Sequence, residues 1–425
     1  MLVRKLLQRG AGRAIDALKV IFPVGSTGRL FLQRTRASIR RYVEPDADFG
    51  RKLDRLLPDL ETWAIGRSGS VFLILSPVQF REDEGQRATN LALEMVQRGI
   101  PVLFIYWRWP GEKSAPIEGK PGVLQIPMDL FLRCPERFLR SFHNLKRYVL
   151  FEYPHPELFG PLALAHAEGW ITVYDLIDDW SAFQRVGQAE WYDPLFERYL
   201  VLHADVLLAV GQSLADRIGK QTGRQAVLIP NGLSPDITRI ETPQALVRGE
   251  VTLGYFGYLS DAWFDWPLIL EVAERHPGWK LYLIGYGMSM DPGLLPANVI
   301  FLGKKQRSEL ASYAANWDVG VIPFKQGGVA RGADPIKAYE YLAMNLPVVA
   351  TGVHPPPGGE EYVMCARDAL EFARKVTEAA AAGKLQDRAD YANNCSWEER
   401  LNLLIRAAAE SPRVHQKSFL FGGVR

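Results

Sequence analysis

Short apolar runs alternate with amphipathic stretches through most of the chain after residue 68. In the first half the apolar runs predict strands at Val71–Leu75, Val102–Tyr106, Tyr148–Glu152, Ile171–Asp175, Val206–Val210 and Ala226–Ile229. Helical spacing of apolar positions lies between most of them, as from Gln86 to Arg98, where Gly99 closes the pattern. Because strands and helices alternate, the pattern predicts a parallel sheet covered by helices.

The second half of the chain repeats this alternation. Its apolar runs predict strands at Val251–Phe256, Lys280–Gly285, Val299–Leu302, Val319–Phe324 and Pro347–Ala350. Pro230–Gly249 lies between the halves and is rich in turn-forming and polar residues, so it predicts a linker. The expected fold class is α/β, with two Rossmann-like doubly wound domains facing a cleft. In such sheets ligands bind at the carboxyl ends of the strands.

Composition fits a folded protein of two ordinary domains. The chain has 425 residues, of which 48% are hydrophobic and 23% charged. Its three cysteines have no paired spacing, which favours reduced thiols and a cytoplasmic setting over a disulfide scaffold. No apolar run approaches the length of about 18 residues that a membrane-spanning helix needs, and basic residues interrupt the N-terminal apolar positions where a signal peptide would lie.

The near-neutral net charge of +2 hides an uneven distribution. Residues 1–41 carry ten Lys or Arg and one Asp, which gives +9 and leaves −7 for the remainder. Apolar residues recur there at near-helical spacing, so we expect residues 1–67 to form a basic amphipathic helical extension. Such a helix binds an anionic membrane surface or packs on its own body or a partner subunit, and periodicity does not separate these. Nucleic acid binding is not expected, because the arm has no recognisable binding module and the rest is acidic.

Gly327–Ala350 is the most informative stretch of the chain. A glycine-rich loop leads to Asp334-Pro335, which predicts a helix with Asp334 as its N-cap and Pro335 in its first turn. The free backbone N–H groups and the positive dipole end of such a helix attract an anion. Lys337 and Glu340 are three positions apart and share a helix face. We expect Lys337 to reach a phosphate and Glu340 to accept hydrogen bonds from two ribose hydroxyls.

This stretch resembles the nucleotide-sugar site of GT-B glycosyltransferases, specifically glycosyltransferase family 4. The family signature is a helix reading roughly E-x7-E, followed by a small residue and P-V-V/I. Glu340 matches the second glutamate, while Gly332 stands where the first is expected. The resemblance implies that Asp334 or the backbone of the 327–333 loop takes over the missing contact to the donor sugar.

The resemblance extends over most of residues 70–415 and divides the chain. It implies an acceptor domain at 68–235, a nucleotide-sugar domain at 245–395, and a C-terminal segment at 396–425, beginning near Trp397, that crosses back to the first domain. Leu228–Gly232 looks like the segment that closes the N-terminal domain in the family.

Two further loops carry candidate donor contacts. By resemblance, Gly257 and Tyr258, at the end of the first strand of the second domain, approach the donor diphosphate, and the glycine allows close backbone approach. The family's usual arginine and lysine after this loop are replaced by Ser260–Asp265. Arg331 is therefore a candidate for the phosphate, since a guanidinium matches phosphate oxygens in a fork, and equally a solvated loop residue.

Carboxylates in the first domain are the candidate catalytic groups. Asp178 and Asp179 follow the predicted strand Ile171–Asp175 and point toward the expected cleft. Either one can bind an acceptor hydroxyl or the transferred sugar, or act as a base if transfer inverts. The same residues suit the N-cap of the following helix. The sequence does not choose between Asp178 and Asp179.

These residues predict a glycosyltransferase that moves a sugar from a nucleoside diphosphate sugar to a glycan or lipid-linked acceptor in cell-surface polysaccharide synthesis. The resemblance implies retention of configuration, and no metal or other cofactor is expected. The expected location is the cytoplasm, with residues 1–41 placing the protein at the inner face of the plasma membrane. Two alternatives stay open: an epimerase or hydrolase acting on nucleotide sugars, and an inactive subunit that organises a glycan-assembly complex.

Overall fold

The computed structural model describes residues 47–108, 120–240, 244–383 and 385–410. These residues form two α/β domains, each built on a parallel sheet. The predicted N-terminal extension lies outside the described residues up to position 46. Its last part, Ala47–Ala64, is helix α1, whose Leu53, Leu57 and Leu60 are buried in the core of the first domain.

The first sheet has seven parallel strands in the order β3-β2-β1-β4-β5-β6-β7. The strands are β1 Ser70–Ser76, β2 Val102–Tyr106, β3 Val123–Pro127, β4 Lys146–Phe151, β5 Ile171–Leu176, β6 Val206–Ala209 and β7 Val227–Leu228. The central strands are buried on both faces, as near-continuous apolar runs require. Strands β2 and β3 lie on one side of β1, and β4 to β7 lie on its other side. The strand order therefore reverses between β1 and β4, and a crevice opens at their carboxyl ends.

Helices cover both faces of this sheet. They are α2 Arg87–Gln97, α3 Met128–Phe131, α4 Pro135–Leu139, α5 Phe159–Ala167, α6 Trp180–Arg185, α7 Pro194–His203 and α8 Gln212–Thr222, with a 3₁₀ turn at Pro156–Leu158.

The second sheet repeats the plan with six parallel strands in the order β10-β9-β8-β11-β12-β13. The strands are β8 Thr252–Tyr258, β9 Lys280–Tyr286, β10 Val299–Phe301, β11 Val319–Pro323, β12 Val348–Thr351 and β13 Val363–Ala366. Here the reversal lies between β8 and β11, so the crevice opens beyond Tyr258 and Pro323.

The helices of the second half are α9 Trp266–Arg275, α10 Leu310–Ala314, α11 Ile336–Ala343, α12 Ala369–Ala382, α13 Gln386–Asn394 and α14 Trp397–Glu410. Short 3₁₀ turns occur at Pro235–Thr238, Pro292–Leu294, Arg307–Glu309 and Ala330–Gly332. Helix α11 ends at Ala343 with Met344 as its C-cap, and Asn345 then adopts φ 60°, the left-handed conformation that commonly terminates helices.

All eleven predicted strands are confirmed within two residues at each end, and so is the helix predicted between Gln86 and Arg98. Sequence reasoning missed two strands, β3 and β13. Both are short edge strands, and β3 ends in a proline, which weakens a strand signal but is tolerated at an edge.

Helix α14 returns from the second half of the chain to the first domain. Its Trp397, Leu401, Leu404 and Ala408 join the apolar cluster of the first sheet. Arg98 at the end of α2 donates from Nη1 to Asn402 Oδ1 at 2.7 Å. The two domains are thus joined by two chain segments, 230–251 and 395–397.

Candidate active site

Lys337 lies at the crevice of the second sheet, in the first turn of α11. Its Nζ is 5.4 Å from the ring centroid of Tyr255 and 5.1 Å from that of Phe324. Burial lowers the pKa of Lys337 to about 8, and the charge of Glu340 partly opposes this shift. A cation held between aromatic faces and short of counter-charge is prepared to meet an anion.

Gly257 allows the backbone of β8 to approach this lysine. Its φ is 145°, and a Cβ there would stand 3.1 Å from Lys337 Cε. Tyr258 follows and is 39% exposed at the strand end. Its ring lies 5.0 Å from that of Tyr286 and 5.4 Å from that of Trp263. The structure therefore brings Gly257, Tyr258 and Lys337 together at one edge of the sheet.

Glu340 lies one turn after Lys337 and is only 3% exposed. Its Oε1 is paired with Arg307 Nη2 at 2.6 Å. Sequence reasoning missed Arg307, because it stands in an unremarkable polar segment more than thirty residues before Glu340 and only the fold brings the two together.

The predicted N-cap role of Asp334 is wrong. Helix α11 begins at Ile336 and its N-cap Pro335 makes no side-chain cap. Asp334 Oδ2 accepts from the backbone N–H of Asn231 at 2.6 Å, and both its oxygens accept from the Tyr339 hydroxyl at 3.0–3.1 Å. Burial raises the pKa of Asp334 to about 6 against these hydrogen bonds. Asp334 therefore joins the loop before α11 to the inter-domain segment at Asn231. Both carboxylate oxygens of Asp334 already accept hydrogen bonds there.

The loop carrying Arg331 and Gly332 touches the first domain. The Arg331 carbonyl accepts from the Ser213 hydroxyl at 2.9 Å, while the Arg331 side chain is exposed. A Cβ at Gly332 would stand 3.0 Å from Leu214 Cδ2 and 3.3 Å from Asp179 Cβ. A glutamate at position 332 would collide with the first domain in this arrangement. A cavity of about 750 Å³ opens beside this contact, lined among others by Asp179, Gly211, Arg331 and His354.

The structure distinguishes Asp178 from Asp179. Asp179 is the N-cap of α6: its Oδ1 accepts from Ala182 N at 3.1 Å and from the Ser181 hydroxyl at 2.5 Å. Asp178 makes no hydrogen bond or ion pair with the described part of the chain. Burial raises the pKa of Asp178 to about 7, and the charge of Asp179 adds to this. Asp178 is thus the carboxylate left for a ligand.

A second buried acid, Glu152, lies beside Asp178 at the end of β4. It is 1% exposed, and its Oε1 has no hydrogen-bond partner. Burial raises the pKa of Glu152 to about 8, the charges of Asp175 and Asp178 raise it further, and Arg87 and a hydrogen bond from Ser76 oppose them. Glu152 is therefore protonated at neutral pH and can donate a hydrogen bond. It was named in the sequence only as part of a strand end, since burial is a tertiary property.

Arg87 and Asn231 connect the first domain to the loop that precedes α11. Arg87 pairs with Asp175 at 2.7 and 3.1 Å and donates to the Pro230 carbonyl and Asn231 Oδ1, both at 3.1 Å. Asn231 Nδ2 donates in turn to the Asp334 carbonyl at 2.6 Å, and Arg400 Nε donates to the Asn231 carbonyl at 3.0 Å. Every polar group of this buried junction finds a partner, so it fixes the loop that precedes α11.

Aromatic side chains occupy the segment where the resemblance implied phosphate-binding cations. Trp263, in the loop after β8, lies 6.0 Å from the ring of Phe183 in the first domain. The nearby Lys325 donates its backbone N–H to the Trp263 carbonyl at 2.7 Å and its ammonium to the Asp261 carbonyl. Residues 258–265 contain no Lys or Arg, so the cation found beside this strand end is Lys337.

No group of three or more His, Cys, Asp or Glu in the described part of the chain is arranged to hold a metal ion. The expected independence from metal stays a prediction. Within the same residues, no helix is long and apolar enough to cross a membrane.

One protein-family model matches part of the second half of the chain. Residues 258–382, which include β9–β13 and the whole of α11, match the family model described as "Glycosyl transferases group 1". Residues 258–382 are a group 1 glycosyltransferase domain. The match contains Tyr258, Lys337 and Glu340.

Curated and solved proteins agree with this. A 170-residue segment is 25% identical to the "Putative teichuronic acid biosynthesis glycosyltransferase TuaH" of Bacillus subtilis (strain 168), covering 37% of this chain and 43% of that protein. The alignment therefore spans less than half of the relative.

Among solved structures, sucrose-phosphate synthase from Thermosynechococcus elongatus has a TM-score of 0.61 at 16% identity, over 79% of this chain and 98% of that one. Anabaena HepE in complex with UDP-glucose has a TM-score of 0.56 at 14% identity, over 79% and 99%. These likenesses show the fold, which is GT-B: two Rossmann-like domains across a cleft.

Proposed function

We propose that the protein is a glycosyltransferase that transfers a sugar from a nucleoside diphosphate sugar to a glycan or lipid-linked acceptor. The observation that carries this is the placement of Lys337 and Glu340 on one face of α11, within a group 1 glycosyltransferase domain and at the ligand edge of its sheet. Lys337 suits the diphosphate and Glu340 the ribose.

The chemistry follows from where charge develops. As the bond from the anomeric carbon to the diphosphate breaks, negative charge grows on the leaving oxygens, and Lys337 with the N–H groups at the start of α11 stabilises it. A lysine short of counter-charge gains more from this anion than a solvated one. In this proposal, closure of the domains over the donor excludes water, which would otherwise hydrolyse it.

The acceptor is assigned to the first-domain side of the cleft. Asp178 has no partner within the described chain and lies beside protonated Glu152. The cavity of about 750 Å³ beside Gly332, lined by Asp179 and not by Asp178 itself, gives an acceptor sugar room between the domains. Asp178 binds the incoming hydroxyl in this proposal, and retention of configuration is the outcome that the resemblance to family 4 implies.

Two similar proteins suggest the first substrates to test. HepE was solved with UDP-glucose, and the name of the Bacillus relative refers to teichuronic acid, a cell-surface polysaccharide. We therefore propose a role in surface polysaccharide synthesis and take uridine diphosphate sugars as the first donors.

The test is binding followed by turnover. Calorimetry with uridine, guanosine and adenosine diphosphates should identify one that binds, and Glu340→Ala should weaken it by about tenfold or more while the fold stays intact. Glu274→Ala, on the exposed side of α9, is the matched control. No binding by any of the three would contradict the proposal.

Turnover separates the alternatives. Sugar release or epimerisation without an acceptor would favour a hydrolase or epimerase. Tight nucleotide binding with no turnover on any glycan or lipid-linked acceptor would favour a subunit that organises a complex, an option that Gly332 keeps open.

The basic N-terminal arm gives a second element of the proposal, a peripheral location on an anionic membrane. Residues 1–41 carry +9, and each Lys or Arg near such a surface contributes roughly 1 kcal/mol. Deletion of residues 1–41 should abolish sedimentation with anionic vesicles, and salt should weaken sedimentation of the full chain. Equal sedimentation of both forms would exclude the membrane role, and loss of an oligomer on deletion would favour packing on protein.

A further inference from the structure

The buried ion pair of Arg307 and Glu340 joins a capped 3₁₀ turn to the middle of helix α11. Arg307 lies in the 3₁₀ turn after β10, where Gln306 and Glu309 form a capping box and Gln306 N donates to Glu309 Oε2 at 2.8 Å. Glu340 lies mid-helix in α11. Arg307 Nη2 is 2.6 Å from Glu340 Oε1, and both side chains are largely withdrawn from solvent. The contact is an ion pair without hydrogen-bond alignment, and neither atom makes a hydrogen bond within the described residues. The second oxygen, Glu340 Oε2, makes no hydrogen bond or ion pair with the described residues.

Arg307 also touches the first domain. A Cβ at Gly85 would stand 2.5 Å from Arg307 Nη1 and 2.8 Å from Arg307 Cζ, and Gly85 has φ 65°. Glu84, its neighbour, accepts from Lys304 at 3.5 Å. The loop after β1 in the first domain therefore lies directly on the guanidinium, and a side chain at position 85 would strain the backbone and displace the guanidinium.

A buried arginine–glutamate pair is costly to form, because both ions lose their hydration, so its presence at a ligand edge calls for a use. Without a cationic partner, a carboxylate at this depth would gain hydration by turning toward solvent. The guanidinium of Arg307, carried on the turn that the capping box closes, lies against Oε1 and restricts the orientation of the Glu340 carboxylate. It uses one oxygen and leaves the other directed to whatever binds in the crevice.

We propose that Arg307 is a positioning residue for the ribose of the nucleoside diphosphate. It fixes the Glu340 carboxylate so that Oε2 accepts from the ribose hydroxyls, and the first domain holds Arg307 in place through Gly85. Recognition of the ribose thus depends on contact between the two domains. This inference rests on the proposed function, since it assigns a residue to the nucleotide site of that reaction.

The test compares ribonucleotides with their 2′-deoxy forms. Dissociation constants are measured for the best of uridine, guanosine and adenosine diphosphates and for its 2′-deoxy analogue, on the full chain and on Arg307→Ala, Arg307→Lys and Glu340→Gln. Arg275→Ala, which breaks the exposed pair with Glu271 on α9, is the matched control.

The wild type should prefer the ribonucleotide by about tenfold or more, because a site built to accept a hydroxyl proton rejects a ligand that lacks the hydroxyl. Arg307→Ala should weaken the ribonucleotide by about tenfold and the deoxy form by much less, which brings the ratio close to one. Arg307→Lys should restore part of the ratio, since it supplies charge without the planar fork. Arg275→Ala should leave both constants unchanged.

A second variant guards against a folding defect. Gly85→Ala changes no charge but pushes the guanidinium from the first-domain side, and it should lower the ratio in the same direction. Melting temperatures of all variants are recorded in parallel. A ratio that stays at the wild-type value in folded Arg307→Ala and Gly85→Ala, while Glu340→Gln abolishes it, would overturn the role of Arg307 and leave the proposed function standing. Failure of the wild type to bind any of the nucleotides would overturn the proposed function, and Arg307 with it.

Discussion

The crevices of the two sheets lie on equivalent positions of the same fold but carry opposite chemistry. Each lies where strand order reverses, at β1 and β4 in the first sheet and at β8 and β11 in the second. The first is acidic, with Glu152, Asp175 and Asp178 around a single arginine. The second is cationic, with Lys337 between the rings of Tyr255 and Phe324.

This difference shows that the fold supplies the place and the strand-end residues supply the function. Burial has opposite effects on the two sides: it raises the pKa of Glu152 to about 8 and lowers the pKa of Lys337 to about 8. Both shifts favour the neutral forms. The carboxyl groups of the first crevice are therefore suited to bind hydroxyl groups. In the second crevice, an anion that binds beside Lys337 stabilises the charged form of the lysine. The predictions below break one side of this comparison at a time.

The largest effect is expected from Lys337→Ala. Because Lys337 faces charge that grows in the transition state, kcat should fall by about 10²–10³-fold while donor affinity changes by less than about tenfold. The control is Lys280→Ala, since Lys280 lies at the amino end of β9, away from the crevice at the carboxyl ends of the strands. The measurement is steady-state kinetics. A loss confined to KM would show that Lys337 does not stabilise the leaving group.

Single substitutions of the two adjacent aspartates test the acidic crevice of the first sheet. Asp178→Asn should lower kcat by about 10–100-fold, because it removes the unpartnered carboxylate. Asp179→Asn should remain close to wild type in activity and stability, since asparagine caps a helix as well as aspartate does. The reverse ranking in initial rates would place Asp179, and not Asp178, at the acceptor.

The pH dependence of kcat/KM tests the cationic side. Lys337 has a folded-state pKa of about 8, so it loses its charge as pH rises through 8, and kcat/KM should then fall by up to about tenfold per pH unit. Lys337→Arg should keep its charge and move this falling limb to higher pH, whatever its absolute rate. A limb that stays in place in the arginine variant would mean that another group titrates.

Stability against pH tests Glu152 and gives the smallest effect. Its folded-state pKa of about 8 exceeds its ordinary value of 4.5, so between these values the folded state holds more protons than the unfolded state. The free energy of unfolding must then decrease as pH rises from 4.5 to 8. Glu152→Gln should remove this dependence and be more stable than wild type at pH 8 by at least about 1 kcal/mol.

Urea unfolding at pH 5.5 and pH 8 measures the Glu152 effect, with the exposed Glu274→Gln as control. An equal difference between Glu152→Gln and wild type at both pH values would show that Glu152 is ionised in the folded protein.

Candidate site residues divide into those that local sequence identifies and those that need the fold. Gly257, Lys337 and Glu340 were found because a glycine turn and an i, i+3 pair are local patterns. Arg307, Glu152 and Asn231 were missed, because their roles come from partners more than thirty residues away in the chain or from burial. Asp334 was misassigned, since its sequence context suits an N-cap while its side chain turns to Asn231.

The sequence by itself determined the two parallel α/β halves, all the central strands and the helix that carries the candidate donor contacts. These follow from hydrophobic periodicity and from turn residues, which act over a few positions. The tertiary structure alone decided which aspartate is free, what pairs with Glu340, and how Gly332 and Gly85 meet the opposite domain. Ion pairing, desolvation and steric fit depend on atoms brought together from distant parts of the chain, and no local pattern encodes them.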